Sequence, residues 1–277
     1  MSLPFYFRKE ILYYLAIQRN LAGMAQLHHL NCVEIQPPAG GRAIGHCMLL
    51  ESRNKLVLVD TGISLLDTRW PQERVGKEFI DAVGFLFNEE RTAISQIKKM
   101  RLDPESVSDC VISHLDYDHI SGVADFPNAT LHVGVEEYNA YNNDSGNLRY
   151  QKTPLLHNPK IVTYAETNTK LFGIEARRVE IDIDADIFLI PLFGHTVGHC
   201  GVAINIGNKW ILYVGDAYYL RLELYDPIHP VNELAKIRAE NNELRLATLN
   251  TIRKFMSEHP EVVVFGFHDP KEFEPFE

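Results

Sequence analysis

A mixed α/β fold is expected for this chain, and three observations carry the expectation. Short apolar runs, rich in β-branched and aromatic residues, each end in a histidine or an aspartate. They are 111–113 before His114, 187–194 before His195, 210–215 before Asp216 and 262–267 before His268. Such runs read as buried strands. Stretches of helical length lie among them, around 73–101 and 231–258. Finally, 45% of the 277 residues are hydrophobic, enough for a sizeable core, and neither a linker nor an internal repeat divides the chain. Residues 1–277 are therefore read as one domain.

The elements follow in order. Residues 4–26 read as a helix with Phe7, Ile11, Leu15 and Leu21 on its apolar positions, assigned to the core or to a homodimer surface rather than to a membrane anchor. Strands are expected around 27–36 and 43–51, separated by the turn-rich Pro37-Pro38-Ala39-Gly40-Gly41. Lys55 to Val59 is a third strand, ending at Asp60-Thr61-Gly62. Residues 73–101 form one or two helices, with Asn88 and Thr92 as candidate caps, and Asp103-Pro104 caps a short segment before a strand at 109–113. A strand over 129–133 and a helix from Val135 to Asn142 come next. The polar stretch 143–160 is read as a mobile loop over the site. Strands at 171–181, 187–192, 201–206 and 209–215 make the second half β-rich, and the helical stretch 231–258 breaks at Asn241-Asn242.

Composition excludes several classes. There are 27 basic against 37 acidic side chains, a net charge of −10, and no Lys/Arg cluster, so nucleic acid is not an expected partner. No apolar span is long enough for a transmembrane helix, and the N-terminal stretch lacks the pattern of a secretory leader. Cys32, Cys47, Cys110 and Cys200 lie far apart in apolar segments and read as reduced, buried thiols of a cytoplasmic protein. The expected partner is a small-molecule substrate.

The segment Ser113-His114-Leu115-Asp116-Tyr117-Asp118-His119 concentrates two histidines and two aspartates within six residues. Imidazole and carboxylate are the ligands of zinc, iron and manganese. In an extended loop, residues 114, 116 and 118 point one way and 119 the other, which suits two ions roughly 3.5–4 Å apart. His195, Asp216 and His268, each at the end of its own apolar run, are the matching downstream ligands. His199 stands four residues after His195, but Gly194, Thr196 and Gly198 argue against a helix there, so it is read as supporting rather than ligating. Four strands delivering polar groups from their ends describe an active-site rim on a rigid sheet.

Taken together, Asp60-Thr61-Gly62, the His114 loop, Gly194-His195-Thr196-Val197-Gly198-His199, Gly215-Asp216 and His268-Asp269 resemble the metallo-β-lactamase superfamily. The resemblance spans most of the chain. It implies a four-layer αββα sandwich with two metals at one edge. By position, it implies that His114, Asp116 and His195 hold the first metal and that Asp118, His119 and His268 hold the second. Asp216 would bridge them, and Asp60 would orient a ligand histidine from behind. The usual loop of the superfamily is H-x-H-x-D-H; here Asp116 replaces the middle histidine. Two divalent ions are expected, zinc first, with manganese or iron favoured by the added carboxylate.

Within the superfamily the chain looks most similar to the N-acyl homoserine lactonases. The shared features are the helical insertion before His114, the Gly-His-Thr-x-Gly-His segment and Asp216-Ala217-Tyr218-Tyr219. Tyr219 holds the position of a tyrosine that assists at the substrate carbonyl. The implied reaction is attack of a metal-bridging hydroxide on a small carbonyl ester, a lactone first among them, with Asp118 shuttling the proton. Thioester or phosphodiester hydrolysis is the alternative. Di-iron redox chemistry or non-catalytic metal binding is the alternative from another class.

Overall fold

The computed structural model describes residues 24–38, 40–143 and 149–277. The helix expected at 4–26 lies outside the described residues except at its end, where the first strand already begins at Gln26. Among the described residues there are fourteen strands. The first seven are β1 (Gln26–Ile35), β2 (Ala43–Ser52), β3 (Lys55–Val59), β4 (Phe85–Leu86), β5 (Val107–Val111), β6 (Thr130–Gly134) and β7 (Ile161–Tyr164). They form one sheet in the order β4-β1-β2-β3-β5-β6-β7. Strands β8 (Lys170–Leu171) and β9 (Ile174–Glu175) make a small hairpin. A second sheet runs β10 (Arg177–Val179), β11 (Asp186–Pro191), β12 (Cys200–Ile206), β13 (Lys209–Tyr213) and β14 (Val263–Phe265) in sequential order.

The period of two within the second sheet shows how the layers stack. Ile187, Leu189, Val202, Ile204, Ile211, Tyr213, Val263 and Phe265 join a core shared with the first sheet. Their alternates Phe188, Ile190, Ala203, Leu212 and Val264 pack instead with Leu249, Ile252 and Phe255 of the helix Asn242–Glu258. The first sheet is covered by the helix Ala93–Lys99, whose buried residues are Ala93 and Ile97. Two sheets face to face with helices outside give the αββα layering. Strands β3, β5, β6 and β7 are mutually parallel, as are β13 and β14. Parallel neighbours bring their C-terminal ends to one edge, and the ligand-type residues follow those ends.

Most expected elements are present, with informative differences. The stretch 73–101 is not one or two helices. It breaks into Pro71–Arg74, Lys77–Val83, the strand β4, a 3₁₀ turn at Glu89–Arg91 and Ala93–Lys99. Gly84 has φ 86°, and a Cβ there would lie 2.0 Å from the Gln36 carbonyl oxygen. The chain closes the helix at this contact, and Phe85–Leu86 then pair with β1. Asn88 and Thr92 do cap, accepting from Glu90 N–H and Ser95 N–H. The strand expected over 171–181 is three short pieces, reversed at Phe172-Gly173, both at positive φ. The break at Asn241 is real, and its side chain caps the following helix. No helix among the described residues is long and apolar enough to cross a membrane.

Candidate metal centre

The edge where the parallel strands end collects the predicted ligands into three overlapping groups. These are His114 with Asp116 and His195, His114 with His119 and Asp216, and Asp118 with His119 and His268. Asp116 Oδ2 lies 3.4 Å from His114 Nε2 and 3.1 Å from His195 Nε2. Asp118 Oδ2 stands 3.6 Å from His268 Nε2. Asp216 reaches both sides: Oδ1 is 3.3 Å from His119 Nε2, and Oδ2 is 3.4 Å from His195 Nε2 and 3.2 Å from His268 Nε2. All seven side chains expected as ligands therefore converge, but not by the loop geometry expected. The chain is extended only to Asp116 (φ −67°, ψ 150°), and Tyr117–Ile120 then turn helical. That turn, rather than alternation along an extended loop, brings Asp118 and His119 to one side.

Buried hydrogen bonds fix the imidazoles from behind. Asp60 Oδ2 accepts from His119 Nδ1 at 2.8 Å, from the Ser113 hydroxyl at 2.7 Å and from the Tyr213 hydroxyl at 2.5 Å. Its Oδ1 accepts from Ser113 N–H at 2.8 Å. Asp60 does this from φ 50°, a left-handed conformation that aspartate tolerates better than most residues. His268 Nδ1 donates to the Ile44 carbonyl at 2.9 Å, so Nε2 is the nitrogen turned to the site. His199 Nδ1 donates to the Leu192 carbonyl at 2.9 Å, and its Nε2 accepts from Asp216 N–H at 3.0 Å. With both nitrogens engaged, His199 holds the backbone of Asp216.

Sequence reasoning missed two residues here. Glu137 is fully buried; its carboxylate accepts from Leu115 N–H at 2.9 Å, the Thr196 hydroxyl at 2.6 Å and Gly198 N–H at 3.1 Å. It ties the loop carrying His114 and Asp116 to the loop carrying His195. Burial pushes its carboxyl up to about 7. Gly198 permits this contact, since a Cβ there would lie 2.1 Å from Glu137 N. The second is Arg149, in the stretch read only as a mobile loop. Its Nη1 lies 2.9 Å from Asp116 Oδ2 and 3.2 Å from His195 Nε2.

The two tyrosines part ways. Tyr218 is buried, and its hydroxyl donates to Glu272. The Tyr219 ring stands between His195 and His268, with centroids 5.7 Å and 5.3 Å away.

The donor set fits divalent cations on an observation of its own. Nε2 of His114 and of His119, and Oδ1 of Asp116 and of Asp216, are buried without a hydrogen-bond partner. Each such atom costs about 1–3 kcal/mol if left unsatisfied. Four lone-pair atoms converging at one edge are what a cation would use. Electrostatics agree. Burial drives the His114 imidazole down to about 4, and His119 beside it adds to the fall, so it stands as the neutral ligand form. Burial opposes ionisation of Asp116, yet the Arg149 guanidinium and the His114 ring hold it well below the usual carboxylate range.

An αββα sandwich with a His/Asp cluster on the strand ends is a scaffold with the ligand chemistry for divalent metals. The sequence profile of the Metallo-beta-lactamase superfamily matches residues 40–268, and the chain belongs to that superfamily. It is 32% identical over 88% of its length to a probable metallo-hydrolase of Mycobacterium tuberculosis, covering 80% of that protein. It is 25% identical to the N-acyl homoserine lactonase AiiB of Rhizobium rhizogenes, over 81% of this chain and 79% of that one. Among solved structures, an N-acyl homoserine lactone hydrolase with N-hexanoyl-L-homoserine at its catalytic metal centre superposes with a TM-score of 0.65. It shares 20% identity, over 91% of this chain and 95% of that chain, a likeness that shows the fold alone. The chain is a hydrolytic enzyme of a superfamily that binds divalent metals.

Proposed function

We propose that this enzyme hydrolyses a small carbonyl ester, with lactones the first class to test, at a centre of two divalent ions. The observation that carries the reading is Asp216 standing between two ligand groups, with Tyr219 beside them. Similarity to lactonases at 25% identity supports the choice of lactone. His114, Asp116 and His195 would hold the first ion, Asp118, His119 and His268 the second, and Asp216 would contact both. Zinc is the first candidate, and the carboxylate of Asp116 favours manganese or iron as well. The ions would supply a water deprotonated near neutral pH and polarise the carbonyl.

The chain's own groups do the rest. Asp118, whose Oδ2 stands 3.6 Å from His268 Nε2, would take the proton of the attacking water and deliver it to the leaving alkoxide. The Tyr219 hydroxyl donates to charge developing on the carbonyl oxygen. All four cysteines are free and buried, which supports a reducing, cytoplasmic setting. The test is reconstitution with zinc, manganese or iron, followed by elemental analysis and a panel of lactones, esters, thioesters and phosphodiesters. Two metals per chain and turnover of a lactone are expected. Turnover of phosphodiesters alone would overturn the carbonyl-ester reading.

A further inference from the structure

Arg149 approaches the same two lone-pair atoms that a metal would take. Its Nη1 is 2.9 Å from Asp116 Oδ2 and 3.2 Å from His195 Nε2, and those two atoms are 3.1 Å apart. The Arg149 and Asp116 side chains are only 14% and 18% exposed, so solvent screens the pair weakly. The guanidinium is held on its far side too. Nη2 donates to the Arg238 carbonyl, and Nε lies 4.0 Å from Glu240 Oε1. Residue 240 is itself fastened to the His195 loop: its N–H donates to the His195 carbonyl at 3.0 Å, and its Oε2 accepts from Val197 N–H at 2.8 Å. The arginine and the histidine it touches thus share one anchor.

Charge gives this geometry a consequence. The seven candidate ligands include three carboxylates, which leave two dications with one net positive charge. Arg149 adds another at the Asp116 edge. We propose that Arg149 tunes metal affinity. It holds Asp116 and His195 in place as a resident cation, and its charge makes the His114-Asp116-His195 position the weaker and more exchangeable of the two. The inference rests on the metal-centre reading above and deepens it.

The direction of the effect separates this role from a merely structural one. A scaffold residue, when lost, weakens metal binding; an opposing charge, when lost, strengthens it. The experiment measures both stepwise metal dissociation constants by chelator competition on the metal-stripped full chain, with zinc and with manganese. Arg149→Gln is expected to tighten one of the two steps by at least about tenfold and leave the other unchanged. Arg149→Lys, which keeps the charge, should stay near wild type. Arg149→Met, which keeps the aliphatic stem, is run beside them as a second neutral variant. Adding Asp116→Asn to Arg149→Gln should abolish the gain. Unchanged or weaker binding in the neutral variants overturns the proposal, as does failure of both to fold. A wild-type chain that binds no metal overturns the metal centre itself.

Discussion

The two ligand groups of the centre are built from the same residue types but braced differently. Around His119 and His268 the braces are buried and belong to the sheet and its edge. Asp60 follows β3 and takes four hydrogen bonds, one of them from Tyr213 on β13, while the Ile44 carbonyl on β2 takes His268 Nδ1. Around Asp116 and His195 the braces are Glu137 at the start of a helix and Arg149 in a segment without regular structure. One side is preset by the core; the other is set by charge. Affinity at the Asp116 and His195 side should therefore respond to electrostatic change, and affinity at the His119 and His268 side to loss of packing and hydrogen bonds.

Asp216→Ala breaks both sides at once, because its carboxylate is the group common to them. Hydrolysis of the best substrate is expected to vanish, and metal content after reconstitution to fall below two per chain. Retained turnover with two bound metals would falsify the bridging role. Tyr219→Phe leaves the metals alone and removes one donor at the carbonyl, an expected loss of roughly 10–1000-fold in rate. Tyr218→Phe is its control. The Tyr218 hydroxyl serves Glu272 in the core, so the rate should hold while stability drops by about 1–3 kcal/mol. If the two variants exchange these effects, the assignment of the tyrosines is reversed.

Asp60→Ala addresses the preset side. It strands the Ser113 and Tyr213 hydroxyls, Ser113 N–H and His119 Nδ1–H in a buried hole. A cost of about 3–5 kcal/mol in unfolding free energy is expected. So is a loss of roughly 10–100-fold in affinity for one metal. Titration calorimetry showing both metals weakened equally would remove the distinction between the sides. On the charge-set side, Asp116→His should shift relative affinity from manganese toward zinc by roughly tenfold. An unchanged zinc-to-manganese ratio would mean that the carboxylate does not select the metal.

The legible ligands were those directly after apolar runs, His114, His195, Asp216 and His268, because strand and ligand are there neighbours in sequence, and Asp60 follows β3 in the same way. The αββα layering followed from the motifs in order, and the alternation of Ile187, Phe188, Leu189 and Ile190 between two cores displays it residue by residue. The braces of the charge-set side were opaque because their contacts are tertiary. Arg149 meets Asp116 across 33 residues and His195 across 46. Nothing local distinguishes it from a solvated loop arginine. Glu137 likewise stands in the sequence as one acid in the first turn of a helix, with no local mark of its burial. The break at Gly84 had a visible glycine, but only the Gln36 carbonyl makes that glycine necessary. The orientation of Asp118 and His119 failed for want of the helical turn at Tyr117.

A pH titration sharpens the comparison from behind the preset side. His46 lies on β2 two residues from Ile44, and its N–H donates to the Phe267 carbonyl at 2.9 Å, next to His268. Its ring is fully buried, stacked on Phe265 with centroids 4.5 Å apart, and its Nε2 is 2.6 Å from His29 Nδ1. Burial pushes the His46 imidazole from 6.5 down to about 3. The folded value lies below the unfolded one, so the unfolded chain binds the proton first. The stability this neutral ring contributes is fully present above about pH 6.5 and is lost as pH falls toward 3, at up to about 1.4 kcal/mol per pH unit. Denaturant unfolding of the metal-stripped chain at about pH 7 and about pH 5 should therefore show wild type losing about 2 kcal/mol more than His46→Phe, which has no proton to bind there. Parallel pH curves for the two proteins would show that His46 does not titrate on unfolding.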